Sequence, residues 1–229
     1  MSIQLDPRLS LVASFVRPGR VLADIGTDHA YLPVFLVQTG RCPRAVASDL
    51  REGPLQNAQQ TVREHGLEER IQTVLSDGLD ALAPFCADDV VLAGMGGILI
   101  AELLSRASWL RDPAVRIIAQ PMSHAENVRL WLFQNGFTIT DEACAVDGRH
   151  CYVAMAAQYT GEATAPSPAL PYGGLLFGRG DEAAARYLNQ QLSRLQKRHD
   201  ALLRAGKDPG EVERLRAVIE DFERRMHPC

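Results

Sequence analysis

The chain has 229 residues, of which 46% are hydrophobic and 23% are charged, a balance typical of a folded protein with a sizeable core. Its formal net charge of −4 argues against a surface coated for nucleic-acid binding. No apolar run is long enough to cross a bilayer, and residues 1–7 contain Asp6 and no basic, apolar leader. We therefore expect a cytoplasmic protein without a membrane partner.

The cysteines predict reduced thiols and no metal site. Their number is odd and no Cys-x-x-Cys pair is present. Cys144 and Cys151, the latter beside His150, are the only suggestion of metal ligands, but no second pair completes a set of four. We interpret both as small buried apolar residues. The five cysteines are at positions 42, 86, 144, 151 and 229.

Charge is unevenly distributed along the chain. Residues 1–176 contain 13 arginines and 19 acidic residues, a net −6, whereas residues 177–229 contain 11 basic and 9 acidic residues, a net +2. Both lysines, Lys197 and Lys207, lie in the second part. This distribution permits an RNA-contacting C-terminal segment.

The elements alternate between strands and helices, which predicts an α/β fold with a parallel sheet covered on both faces. A helix is predicted over residues 6–16, strands over 21–25, 45–48, 71–75, 89–93 and 115–119, and helices near 31–39, 53–65, 97–106 and 124–134. Two last strands, about 137–145 and 150–158, are separated by Asp-Gly at 147–148, so the sheet should finish with an antiparallel hairpin.

A different architecture follows residues 159–171, which break all periodicity and are typical of a linker. Apolar residues, with His199 at one position, then recur at spacings of three and four over 188–202 and again over 212–226, with a short loop at 205–210. Two heptad helices joined by a short loop predict an antiparallel coiled-coil hairpin. The predicted domains are a catalytic domain at 1–158, a linker at 159–180 and a helical hairpin at 181–229.

Acidic side chains follow the first three strands, where a doubly wound sheet binds its ligand. The first turn contributes Asp24, Gly26, Asp28 and His29, the second Asp49, and the third Asp77 with Gly78. A dinucleotide needs two further glycines where the first turn has Asp28 and its neighbours, and this carboxylate would face the phosphates with like charge. S-adenosylmethionine carries a sulfonium and an ammonium group instead. The pattern therefore favours S-adenosylmethionine as the ligand and disfavours a nicotinamide dinucleotide.

The fourth strand ends in Ala-Gly-Met-Gly-Gly at residues 93–97. The glycines either allow a substrate to approach the methyl donor closely or serve a turn into the next helix. Base-methylating enzymes that act on an exocyclic amine often carry Asn or Asp followed by prolines here. The absence of that motif favours a ring nitrogen as acceptor.

Side chains near these turns offer candidates for the acceptor side, each with a structural alternative. Gln120 either hydrogen-bonds a base edge or starts a helix. His29 either accepts a proton or caps the helix after the turn. Tyr31 and Tyr152 either stack on a base or belong to the core.

Taken together, several segments resemble the bacterial TrmK family, and the first of them is highly specific. These segments are residues 23–33 (Ala-Asp-Ile-Gly-Thr-Asp-His-Ala-Tyr-Leu-Pro), 52–54, 76–79, 93–97, 120–121 and 177–178. The resemblance implies a Rossmann-like class I methyltransferase with a C-terminal coiled-coil hairpin. It further implies transfer of a methyl group from S-adenosylmethionine to N1 of adenine 22 in the D-arm of tRNA, after the base has left its stack.

The resemblance also assigns roles to residues. For the methyl donor it implies Asp24, Gly26, Asp28 and His29 around the methionine part, Asp49 at the ribose, Asp77 and Gly78 at the adenine, and Gly94, Met95, Gly96 and Gly97 beside the transferred methyl group. We predict Asp28, His29 and Gln120 as catalytic residues. Substrate contacts are predicted for Tyr31, Gly97, Arg194, Arg198, Arg204 and Arg214. Two positions depart from the family pattern, with Met122 in place of Asn and Asp49 in place of Glu.

Alternatives remain open from the sequence. The enzyme could act on a small molecule and use the hairpin for dimerisation, or the chain could bind RNA without turnover. The hairpin arginines could contact phosphates or simply pair with neighbouring glutamates. We expect a monomer or a weak homodimer, with tRNA as partner.

Overall fold

The structure is a computed structural model that describes residues 3–83, 87–206 and 208–227. Cys86, Cys229 and Lys207 lie outside the described residues. The described cysteines, Cys42, Cys144 and Cys151, are free thiols.

Within the described residues, seven strands form one sheet in the order β3-β2-β1-β4-β5-β7-β6. The strands are β1 (Leu22–Ile25), β2 (Ala45–Asp49), β3 (Ile71–Leu75), β4 (Asp89–Gly96), β5 (Arg116–Ser123), β6 (Phe137–Asp147) and β7 (His150–Tyr159). The first five are parallel, and β7 pairs antiparallel with both β5 and β6. The predicted α/β sheet with an antiparallel end is confirmed.

Helices cover both faces of the sheet. They are α1 (Pro7–Phe15), α2 (Tyr31–Gln38), α3 (Glu52–Glu64), α4 (Gly97–Arg106), α5 (Ala125–Gln134), α6 (Leu170–Gly173), α7 (Glu182–Ala205) and α8 (Pro209–Met226). Two apolar clusters result, one beneath α1 to α3 and one beneath α4, α5 and the C-terminal helices. Leu22 and Ala23, neighbours on β1, belong to opposite clusters, as the alternation of a strand requires.

The chain crosses from one side of the sheet to the other between β1 and β4. From β1 it runs outward to β2 and β3, then returns to β4 on the far side of β1. This is a topological switch point, where α/β sheets bind their ligands beyond the carboxyl ends of the strands.

Residues 170–178 are helical, although the sequence pattern suggested an unstructured linker. After α6 a 3₁₀ helix spans Gly174–Gly178, and the apolar side chain of Leu176 is fully buried. Gly174 has a φ of +55°, and a Cβ there would lie 2.0 Å from Oε2 of Glu142. The segment folds because its apolar residues pack on the sheet and its glycine lets the backbone approach a buried carboxylate. The division into domains at the boundaries given above stays a prediction.

Helices α7 and α8 form the expected antiparallel hairpin, whose base packs on the sheet. Gly206 ends α7 with a φ of +60°, and Asp208 caps α8 by accepting a hydrogen bond from the backbone N of Glu211 at 3.0 Å. Tyr187 and Leu195 of α7 and Phe222 of α8 are buried in the apolar cluster on that face. With 24 residues, α7 is about 36 Å long.

A buried ion pair fixes the hairpin to the catalytic sheet. The guanidinium of Arg129 on α5 lies 2.7 Å from Oε1 of Glu142 on β6, and both side chains are fully buried. Arg129 also donates to the backbone O of Pro171 at 2.8 Å and lies over the ring of Tyr187, 5.6 Å from its centroid. Glu142 accepts from the backbone N of Leu175 at 2.8 Å. One pair of charges thus joins α5, β6, the 170–178 segment and α7.

Candidate active site at the carboxyl ends of the strands

The turn after β1 holds a buried carboxylate. Asp24 is 6% exposed, and its Oδ2 accepts a hydrogen bond from the hydroxyl of Thr27 at 2.7 Å. Burial raises the pKa of Asp24 to about 6, against the opposing effects of the Thr27 hydrogen bond and the charge of Arg8. Its Oδ1 accepts no hydrogen bond from the described residues. A cation entering this site would therefore find an acceptor that is already desolvated.

The same turn is tightly constrained. Gly26 has a φ of +72°, and a Cβ there would lie 2.6 Å from Cε of Met95. Asp28 and Ala30 adopt left-handed φ angles of 51° and 55°, which are uncommon for residues other than glycine and are often found at functional sites. The backbone N of Thr27 donates to the backbone O of Ser48 at 2.9 Å, which ties the turn to β2.

His29 and Tyr31 form an exposed aromatic step next to this turn. Their ring centroids lie 5.2 Å apart with an interplanar angle of 11°, and Tyr31 is 46% exposed. The N-cap of α2 is Ala30, with no side-chain cap, so the capping alternative for His29 is wrong. Nε2 of His29 lies 3.6 Å from Oδ2 of Asp28, which is too long for a hydrogen bond. Neither ring belongs to the two apolar clusters of the core.

The second and third strand ends differ in how their carboxylates are engaged. Asp49 is buried; its Oδ1 accepts from the backbone N of Arg51 at 2.9 Å, and its Oδ2 accepts no hydrogen bond from the described residues. Asp77 is exposed and lies 3.1 Å from a guanidinium nitrogen of Arg106. Gly78, predicted beside the adenine, packs beneath Leu103, since a Cβ there would lie 2.4 Å from Cδ2 of that leucine. Asp49 therefore keeps a free acceptor, whereas Asp77 is already paired.

The glycine run spans the end of β4 and the first residue of α4, and two of its glycines are required by the local structure. Gly94 has a φ of +78°. A Cβ at Gly97 would lie 2.1 Å from the backbone O of His124, so this glycine lets the start of α4 pack against the turn between β5 and α5. Gly96, by contrast, has more space, with Oγ of Ser123 at 3.5 Å as the nearest atom.

Gln120 is fully buried at the end of β5, with its amide engaged on both sides. Its Oε1 accepts from Nη1 of Arg8 at 2.9 Å and from the backbone N of Gly94 at 3.1 Å. Its Nε2 donates to the backbone O of Pro121 at 3.2 Å. In this conformation the side chain of Gln120 joins β4, β5 and α1, and Arg8 closes it off from solvent.

Arg8 is the site residue that sequence reasoning missed. It lies on the first turn of α1, where Asp6 caps the helix. Its side chain donates a hydrogen bond to Gln120, which is 112 positions away in the sequence. Nη1 would lie 3.5 Å from a Cβ built at Gly94, and the charge of Arg8 lowers the pKa of Asp24. The sequence showed only a short amphipathic helix and carried no signal for where it would pack.

Comparison with known proteins places this geometry in a family. A methyltransferase-domain model matches residues 5–155. The tRNA (adenine(22)-N(1))-methyltransferase of Bacillus subtilis is 35% identical over 156 residues, which span 68% of this chain and 66% of that protein, slightly under two thirds of its length. The crystal structure of the B. subtilis m1A22 tRNA methyltransferase TrmK is 27% identical with a TM-score of 0.87, and the match covers 99% of this chain and 100% of that one. The chain belongs to the TrmK family.

A further TrmK structure, from M. capricolum, contains the cofactor product S-adenosyl-homocysteine. It is 26% identical with a TM-score of 0.81, and the match covers 97% of each chain. The family match extends through the helical hairpin, because the structural matches cover nearly the whole chain.

The four hairpin arginines predicted to bind substrate fall into different surroundings. Arg198 is paired with Glu211 on the other helix, and Nε of Arg214 donates to the backbone O of Gly210 at 3.2 Å. Arg194 and Arg204 are exposed and form no ion pair with the described residues. Among the described residues, none of these four arginines forms an ion pair within its own helix, and the one ion pair, that of Arg198, joins the two helices.

A cavity of about 610 Å³ lies away from the strand ends. It is enclosed by α5, residues 165–172 and the hairpin, and Arg198 and Arg214 are among its lining residues. Its walls include none of the residues predicted to hold the methyl donor. The strand ends are the better candidate for the active site despite the size of this cavity, because they carry the buried carboxylate and the strained turn.

Among the described residues, no group of three or more His, Cys, Asp or Glu side chains is arranged to hold a metal ion. Within the same residues, no helix combines the length and apolar character that spanning a membrane requires.

Proposed function

We propose that this chain is an S-adenosylmethionine-dependent methyltransferase that methylates N1 of adenine 22 in tRNA. The observation that carries the proposal is the buried carboxylate of Asp24, with a free acceptor oxygen, in a strained turn at the switch point of a TrmK-family sheet. An acidic, phosphate-repelling turn of this kind suits a cationic donor. A tRNA substrate would keep the enzyme in the cytoplasm.

The residues at the strand ends suit this donor. Oδ1 of Asp24 would accept a hydrogen bond from its ammonium group, and the free Oδ2 of Asp49 would accept one from a ribose hydroxyl. Gly96 would leave room for the acceptor base, since no side chain of its own fills the space above β4. When bound, the donor supplies a methyl group activated by the positive charge on its sulfur.

The protein residues then act by positioning. N1 of adenine offers a lone pair, so no residue has to remove a proton before it can react. The exposed step of His29 and Tyr31 would stack on the base after it has left the helix. Gln120 would act through the geometry of β4 and β5, because its amide is held by Arg8 and Gly94. We therefore assign Gln120 as a positioning residue, and Asp28 and His29 as residues that contact the reactants.

The test is methyl transfer to unmodified tRNA, followed by mapping of the modified nucleoside. We expect 1-methyladenosine at position 22 from purified protein, radiolabelled donor and tRNA transcripts, and none from a transcript with guanosine at that position. Incorporation into a small molecule but not into tRNA would support the alternative substrate class. Donor binding without any methyl transfer to tRNA would support a silent RNA-binding protein.

Removing residues 180–229 tests the role of the hairpin. We expect tRNA affinity to collapse while the oligomeric state stays monomeric. Because the base of the hairpin is part of the apolar core, donor binding must be measured in the same sample to show that the sheet has folded. Loss of dimerisation with unchanged tRNA affinity would contradict the proposed role.

A further inference from the structure

A polar cleft lies between the catalytic sheet and the hairpin, next to the proposed site of methyl transfer. We call it the β7–α7 cleft; its walls include Met122, His124, Arg149, Tyr152, Gln190 and Arg194. Its volume is about 170 Å³, below the roughly 300 Å³ of a typical small-ligand pocket. The cleft is therefore suited to one group of a longer ligand that continues beyond it.

One wall of the cleft is continuous with the glycine run of β4. Ser123 lines the cleft and is the register partner of Gly96, while Pro121 is the partner of Met95. A chain that placed a base above Gly96 would therefore reach the cleft by crossing the end of a single neighbouring strand, about 5 Å away.

The cleft contains an aromatic step outside the core. His150 and Tyr152, two residues apart on β7, have ring centroids 5.9 Å apart and an interplanar angle of 21°. His150 is exposed and Tyr152 half-buried, and neither packs in the two apolar clusters. Stacked rings that the core does not use are suited to stacking on a nucleobase, because every base presents a π face.

Two unpaired cations flank this step. Arg149, in the turn before β7, and Arg194, on α7, are exposed and form no ion pair with the described residues. Arg186, which donates from Nη2 to the backbone O of Gly148 at 2.9 Å, ties α7 to that turn. The acidic residue lining the cleft, Glu126, is already in contact with His124, with 3.0 Å between Oε1 and Nδ1.

Three arginines of α8 are already paired with carboxylates. Arg216 lies 3.2 Å from a carboxylate oxygen of Glu213, and Arg224 and Arg225 both contact Asp221. Their charges are partly neutralised, so these three arginines offer weaker sites for phosphates than Arg149 and Arg194 do.

We propose that the β7–α7 cleft binds a nucleotide that flanks the target adenine of the RNA substrate. Its base stacks on Tyr152 and His150, and a neighbouring phosphate lies between Arg149 and Arg194. The proposal rests on the proposed function, because it names the path of the RNA that this activity requires. The RNA then runs from the strand ends across Met122 to the cleft side of α7.

The experiment compares single-residue variants in steady-state methylation of tRNA transcripts. For Arg149→Ala and Arg194→Ala we expect KM for tRNA to rise about tenfold. We also expect the slope of log KM against log salt to fall by about 0.7–0.9 for each phosphate that the variant no longer neutralises. The matched control is Arg216→Ala, which removes a paired hairpin arginine and should change KM less than twofold. Donor affinity, measured by calorimetry, should be the same in all variants.

The stacking part of the proposal is tested separately. Tyr152→Ala should raise KM for tRNA by about tenfold, whereas Tyr152→Phe keeps the ring and should stay near the wild type. If Arg149→Ala and Arg194→Ala change KM for tRNA no more than Arg216→Ala does, or if the two Tyr152 variants have the same KM, the cleft is not the path of the RNA. The proposed tRNA methylation would be unaffected by either result. If the wild type binds donor but methylates no tRNA, the proposed function itself fails, and this inference fails with it.

Discussion

Replacing Asp24 by Asn should make the protein more stable while weakening donor binding. In the folded protein, burial raises the pKa of this carboxyl from 3.8 to about 6, so ionising it costs about 3 kcal/mol more than in the unfolded chain. An amide has the same shape, keeps the acceptor for the Thr27 hydroxyl and avoids that cost. We therefore expect Asp24→Asn to raise the free energy of unfolding by about 1–3 kcal/mol at pH 8, or the melting temperature by several degrees.

The sign of the pH dependence follows from the direction of the shift. Below pH 4 the carboxyl is protonated in both states, so wild type and variant should be equally stable. Between pH 4 and 6 the folded state binds one more proton than the unfolded state, so the stability of the wild type falls as pH rises. Above pH 6 the wild type stays less stable than the variant by a constant amount. Chemical denaturation at pH 4, 5, 6 and 8, followed by circular dichroism, measures this curve.

The control is Asp28→Asn, which removes the same charge from an exposed position in the same turn. Its φ of +51° is one that asparagine tolerates. We expect its stability difference from wild type to be within about 0.5 kcal/mol and to lack the step between pH 4 and 6. A pH-independent difference for Asp24→Asn, or equal behaviour of the two variants, would refute the burial argument.

The same titration should govern donor binding. A cationic donor needs the ionised carboxylate, so the donor affinity measured by calorimetry should fall as pH is lowered below 6, approaching a tenfold loss for each pH unit. Near pH 6, donor binding should release a proton. Asp24→Asn should weaken binding and remove this pH dependence. Near-normal affinity of the variant would show that the donor lies elsewhere.

Three further substitutions test how the site is held. Gly97→Ala should lower the free energy of unfolding by about 2 kcal/mol or more in thermal denaturation, because its Cβ would lie 2.1 Å from a backbone oxygen. The control Gly96→Ala, whose Cβ would have its nearest neighbour at 3.5 Å, should lower it by less than half as much. Arg129→Met should cost about 3–5 kcal/mol at pH 8 by leaving Glu142 buried and unpaired. Because burial already raises the pKa of Glu142, this loss should shrink as pH falls, and a pH-independent loss would mean that packing dominates. Arg8→Met should lower the single-turnover rate of tRNA methylation, with partial recovery in Arg8→Lys; unchanged rates in both variants would remove Arg8 from the site.

Local sequence determined the order and type of the elements. Val21 to Ile25, a short apolar run that ends at a glycine, specifies a buried parallel strand and its turn, and the heptad spacings specify two helices. The same local patterns placed carboxylates at three successive strand ends, since parallel strands bring their carboxyl ends to one edge. The TrmK assignment came from the residues of these turns, and the comparisons confirm it. The roles given to individual residues stay predictions.

The tertiary structure decided which of those residues are free to act. Only packing showed that Asp77 is held by Arg106, that Arg8 closes over Gln120, and that Arg129 and Glu142 lock the hairpin onto the sheet. These contacts join residues from 13 to 112 positions apart, so no periodicity or spacing in the chain encodes them. Strand and helix patterns report the hydrophobic face that each segment buries, whereas a charged side chain takes its partner from whichever segment the fold brings beside it.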